Sequence, residues 1–88
     1  MKILKIAMIS RQHDSWVVEV STQGCWPMKK IKTRAVAVRK YPYTAGYDSA
    51  RWMDSGETLP IGNCRVVEAF ITSGLDELET YKLGWDGA

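Results

Sequence analysis

Long apolar runs are missing from this chain, and so are most of the residues from which catalytic and metal sites are built. No stretch approaches the ~18 consecutive apolar residues of a membrane-spanning helix, so no membrane association is expected. An export signal needs about 7 to 15 uninterrupted apolar residues. Near the start only Ile6-Ala7-Met8-Ile9 lies between Lys5 and Arg11, and a cytoplasmic protein is expected. The two cysteines, Cys25 and Cys64, are far apart, and a reducing compartment favours two thiols over a disulfide. One histidine, His13, and two scattered cysteines do not supply the roughly four suitably spaced ligands of a zinc site. No metal and no cofactor is expected.

The same scarcity argues against an enzyme. Ser10, His13 and Asp14 have the side-chain types of a catalytic triad, but three residues crowded on one turn rarely reach triad geometry. No acid is followed two positions later by lysine, so the acid-x-Lys element of metal-dependent nucleases is missing. The seven glycines form neither a P-loop nor a G-x-G-x-x-G turn. One class escapes these exclusions: a metal-independent ribonuclease toxin cuts with Lys, Arg, Tyr or His side chains alone.

What is present is an ordinary globular composition, 45% apolar and 25% charged over 88 residues, which reads as a single domain, 1-88. The net charge of +2 conceals a strong asymmetry. Residues 29–52 hold seven basic side chains (Lys29, Lys30, Lys32, Arg34, Arg39, Lys40 and Arg51) against the single acid Asp48. Residues 53–88 hold only Arg65 and Lys82 against seven acids. Folding either keeps these segments apart, giving a polarised molecule, or lets them neutralise each other.

The second half of the basic stretch adds four aromatics, Tyr41, Tyr43, Tyr47 and Trp52. Cations neutralise phosphates and aromatic faces stack on unpaired bases, so this mixture suits single-stranded nucleic acid. It equally suits an edge strand, where Lys and Arg block aggregation, or a protein interface, where Trp beside Arg is a frequent hot spot. Of the four tryptophans, Trp16 lies on the apolar side of a strand pattern and belongs to the core, whereas Trp52 and Trp85 are expected to be exposed. The leading expectation is a stoichiometric protein-binding factor, an inhibitor or adaptor of the kind phages and other mobile elements encode against host machinery. Its partner would be a host protein or a protein–nucleic acid complex, and a homo-oligomer is compatible with the composition. The alternative is a nucleic-acid-binding module using the same residues, with the ribonuclease toxin third.

Along the chain, Lys2 to Ser10 alternates weakly, with Leu4, Ile6 and Met8 on one face, and Trp16, Val18 and Val20 alternate with polar positions after the break at 11–14. These segments predict an antiparallel hairpin. β-branched residues favour a strand from about Ile31 to Tyr41. Asp54-Ser55-Gly56-Glu57 is a hairpin signal with Gly56 at a positive-φ position. Gly62-Asn63 reads as a turn, Cys64 to Thr72 as a buried strand, and Ser73 to Asp76 as a capping box opening a short helix from Leu75 to Leu83, with a last strand as its competitor. The expected fold is α+β, an antiparallel sheet of four to six hairpin-linked strands with one short C-terminal helix; a small all-β barrel is the runner-up.

Overall fold

The computed structural model describes residues 2–24, 27–40 and 50–84. Five strands, β1 (Lys2–Arg11), β2 (Ser15–Gln23), β3 (Ile31–Arg39), β4 (Ala50–Trp52) and β5 (Glu77–Glu79), make one sheet in the order β4-β3-β2-β1-β5. All its pairs are antiparallel. A helix, α1 (Ile61–Ser73), and a 3-10 turn at Thr80–Leu83 complete the described fold. The sheet stays open at both edges, so the α+β expectation holds and the barrel does not.

The β2–β3 pair runs without interruption from Ser15↔Arg39 to Gln23↔Ile31. Period-two alternation therefore places Trp16, Val18, Val20 and Thr22 on the same face as Lys32, Arg34, Val36 and Val38. The β1–β2 pair carries two bulges, between Ile3 and Lys5 and between Met8 and Ser10. Each inserts one residue and reverses the alternation beyond it. That is why Ile3, not Leu4, joins Ile6 and Met8 on the apolar face, correcting the simple alternation of the sequence.

Helix α1 covers this face. Cys64, Val67, Phe70 and Ile71 pack with Leu59 against Ile3, Ile6, Val18, Val20, Val36, Val38, Ala50 and Trp52, with Trp16 half-buried beside them. The expected strand at Cys64 to Thr72 and the turn at Gly62-Asn63 are both corrected here. Val66, Val67 and Ile71 have strand-like chemistry, but the buried positions Asn63, Cys64, Val67, Phe70 and Ile71 recur at helical spacing. Pattern outweighs propensity.

The predicted helix at Leu75 to Leu83 is also corrected. Ser73 ends α1 instead of opening a new helix, and Gly74 at φ 75° supplies the left-handed residue that terminates it. Arg11 reaches from the end of β1 to this terminus, its guanidinium donating to the Ile71 and Leu75 carbonyls at 3.3 and 3.1 Å. The following residues pair Leu78 with Ile6 as β5, and the buried Thr80 hydroxyl donates to the Ile3 carbonyl. The expected hairpin at Asp54 to Glu57 is present. Arg51 bridges Thr58, Gly56 has φ 73°, and the Leu59 N–H donates to the Ala50 carbonyl at 3.0 Å.

Candidate functional site

Among the described residues the basic stretch supplies β3 and β4, and the extension of β3 pulls its charges apart. From Lys32 to Arg39 the strand rises about 23 Å at ~3.3 Å per residue. Lys29, Lys30 and Lys32 therefore cluster at one end, with Arg39 and Lys40 at the other. All five are exposed, and among the described residues no carboxylate forms an ion pair with any of them.

Arg34 behaves differently. Its guanidinium grips the Asp54 carboxylate with two bonds, Nε to Oδ2 at 2.7 Å and Nη2 to Oδ1 at 2.6 Å, and lies over the Trp52 ring at 4.0 Å from the centroid. Trp52 is only 4% exposed. The expectation of an exposed Trp52 hot spot is thus overturned, because its strand position opposite Val36 faces the core and Arg34 closes over it. Bonding to Arg34 holds the Asp54 carboxyl below the usual carboxylate range and raises the Arg34 guanidinium. Arg51 is exposed and donates to the Gly56 carbonyl at 3.3 Å, bracing the β4 turn. Tyr41, Tyr43 and Tyr47 lie outside the described residues, as do Trp26, Trp85 and Cys25. Cys64 is buried, with its thiol donating to the Leu59 carbonyl.

Two further surfaces were not among the sequence candidates. The first is the sheet face opposite α1. Register aligns three rows across it: Glu77–Ala7–Glu19–Ala35, Ser10–Val17–Ala37–Arg51 and Glu79–Lys5–Ser21–Thr33. None of these positions is buried; the central Ala7, Val17, Ala35 and Ala37 are half-buried. The alternation of Ala35 and Ala37 with Val36 and Val38 was the available signal.

The second surface is the outer edge of β3. The Ala35 carbonyl accepts from Met53 N–H on the β4 side at 3.0 Å, whereas Lys30 O and Lys40 N bond to Gly24 and Asp14 on the β2 side. Odd-numbered residues of β3 therefore turn their backbone groups toward β4. That strand stops pairing at Val36. Ile31 and Thr33 consequently present N–H and C=O groups outward with no strand opposite them among the described residues.

Folding resolves the charge asymmetry. The acidic segment contributes β5 at one edge of the sheet and the basic stretch lies toward the other. Neutralisation between the two segments is partial: Arg34 pairs with Asp54, while Glu77 pairs with Lys5 at 2.9 Å and Glu79 with Lys82 at 2.5 Å, cations outside the basic stretch. The Lys82 bond, then that from the Tyr81 hydroxyl, holds the Glu79 carboxyl low. A shallow depression lined by Glu77, Leu78, Glu79 and Lys82 lies on this acidic side, open to solvent. No group of three or more His, Cys, Asp or Glu side chains suited to a metal ion occurs among the described residues. No helix of the described residues is long and apolar enough to cross a membrane. The chain matches no protein-family model, no curated protein and no solved structure.

Proposed function

We propose that this chain is a non-enzymatic domain that acts by binding a protein partner in fixed stoichiometry, as an inhibitor or adaptor. The observation that carries this reading is the sheet face that α1 leaves uncovered, where the half-buried Ala7, Val17, Ala35 and Ala37 surround the exposed Glu19. Charged residues flank that centre, Glu77 and Glu79 on one side and Arg39 and Arg51 on the other. Apart from Glu19, small apolar positions within a charged rim follow the general anatomy of a protein interface. The cations Lys29, Lys30, Lys32, Arg39 and Lys40, without a carboxylate partner among the described residues, add orientational steering toward an acidic partner. The test is capture of the purified domain's partner from nuclease-treated lysate of the producing cell, followed by native mass measurement. A complex of fixed stoichiometry is expected, and capture of no protein contradicts the reading.

Nucleic-acid binding remains the second reading, favoured by the five cations without a carboxylate partner among the described residues. Against it stands Trp52, placed in the core and not available for base stacking. Anisotropy of labelled single-stranded RNA, single-stranded DNA and duplex DNA across a salt titration separates the two. A single-strand affinity falling with log[salt] at a slope of roughly −3, as about four or five phosphate contacts give, would favour nucleic acid.

A further inference from the structure

We infer that the outward edge of β3 at Ile31 and Thr33 accepts one additional strand, supplied by an extended acidic segment of the protein partner. This deepens the protein-binding reading and rests on it. β1 is covered at its outer side from Ile3 to Met8 by Thr80, β5 and the Asp76 carbonyl, and β3 is covered from Ala35 to Val38 by β4 and Met53. The Ile31–Thr33 stretch projects past the end of the β4 hairpin. Among the described residues its two N–H donors and two C=O acceptors, at the spacing of a ladder, face no partner strand. Main-chain bonds of this kind give affinity in strand addition, and the flanking side chains give specificity.

Those side chains define the partner. Lys29, Lys30 and Lys32 surround the edge, all exposed and with no carboxylate paired to them among the described residues. Arg34 does not add to this field, because Asp54 already neutralises it. A strand carrying Glu or Asp beside the lysines therefore gains charge-assisted contacts, and an apolar side chain on the opposite alternation meets Ile31, which is 63% exposed. The same lysines disfavour a second copy of this chain. Two β3 edges laid side by side would bring both lysine clusters together, and like charges on adjacent strands repel.

The experiment uses the whole protein and three fluorescein-labelled synthetic peptides: one alternating glutamate with valine, the same peptide N-methylated at alternate residues along one edge, and one with lysine in place of glutamate. Anisotropy gives affinity, and amide hydrogen exchange followed by NMR gives location. The acidic peptide is expected to bind and to slow exchange at the Ile31 and Thr33 amides. N-methylation is expected to weaken it about tenfold or more, through loss of one or two hydrogen bonds, and the lysine peptide is expected not to bind. Equal binding of the N-methylated peptide, unprotected Ile31 and Thr33 amides, or no binding by the acidic peptide at low salt each overturns strand addition. Failure here is distinct from failure of the broader reading. A partner captured in fixed stoichiometry whose complex leaves the Ile31 and Thr33 amides unprotected ends the inference while keeping the protein-binding function.

Discussion

Arg34 shows how one side chain changes meaning between sequence and structure. In the sequence it is one of seven cations in a basic run; in the fold it clamps Asp54 in a bidentate bond and covers the Trp52 ring. Lysine cannot reproduce the planar fork or the stack. Arg34→Lys is therefore expected to lower stability by about 1 kcal/mol, read as a drop in the urea midpoint. The bond also has a pH signature. Asp54's carboxyl is depressed on folding by Arg34, so its contribution is complete above the ordinary carboxylate range near pH 4 and is lost as pH falls through the depressed folded value. Asp54→Asn should flatten that acid limb in urea melts taken at successive pH values. An unchanged limb would mean the pair does not matter to stability. Asn63 makes the opposite case. It is fully buried, and neither its Oδ1 nor its Nδ2 has a hydrogen-bond partner. A buried amide without a partner is costly, and an apolar side chain of similar size removes that cost. Asn63→Leu is expected to raise stability by about 1 kcal/mol, and a loss would show that the amide is satisfied in solution.

At the scale of elements, strands stated themselves more clearly than helices. Trp16, Val18, Val20, Val36 and Val38 alternate cleanly, and β2 and β3 fall where that alternation places them. The Gly56 turn was legible because a positive φ at one point of a tight turn calls for glycine. α1 was hidden because its core positions are filled with Val, Phe and Ile, and because Pro60 at its N-cap gives no side-chain bond to announce a start. The capping-box pattern at Ser73 misled for a related reason. Ser73 Oγ does accept from the Leu75 N–H at 3.3 Å, yet it does so at the end of a helix, where Gly74 reverses the chain. Gly74→Ala forces a Cβ into the left-handed region and is expected to cost about 1 kcal/mol, with no loss of contacts, since a Cβ there meets nothing within 4 Å. A neutral Gly74→Ala would deny this account of why α1 stops. The candidate site was legible only in part. Lys29, Lys30, Lys32, Arg39 and Lys40 are exposed as expected, but Trp52 is buried. The open face had a local signal in the alternation of Ala35 and Ala37 with Val36 and Val38, whereas the β3 edge depends on pairing between distant segments, which no local pattern encodes.

For the whole molecule, the decisive feature is a sheet that, among the described residues, α1 covers on one face, with most of the cations that have no carboxylate partner at β3. Asp76, Glu77 and Glu79 lie at β5, the cations of β3 and β4 lie beside Asp54 and Glu57, and between the two edges lie Ala7, Val17, Ala35 and Ala37 around Glu19. Ion pairs at Lys5–Glu77, Lys82–Glu79 and Arg34–Asp54 consume some of that charge, while Lys29, Lys30 and Lys32 remain without a carboxylate among the described residues. Under the proposed reading, recognition falls at the end of β2 and β3 that carries Lys29, Lys30 and Lys32. The most direct measurement compares partner capture from nuclease-treated lysate by the native chain and by the Lys29→Glu, Lys30→Glu, Lys32→Glu triple variant, with folding of both checked by circular dichroism. The substituted positions are exposed, so the variant should fold. The account predicts a protein partner held in fixed stoichiometry by the native chain and lost or weakened at least about tenfold by the variant, as removal of several charge-assisted contacts would give. Equal capture by both would end the β3-edge inference and move the interface to another surface, and capture of no protein by the native chain would contradict the protein-binding reading itself.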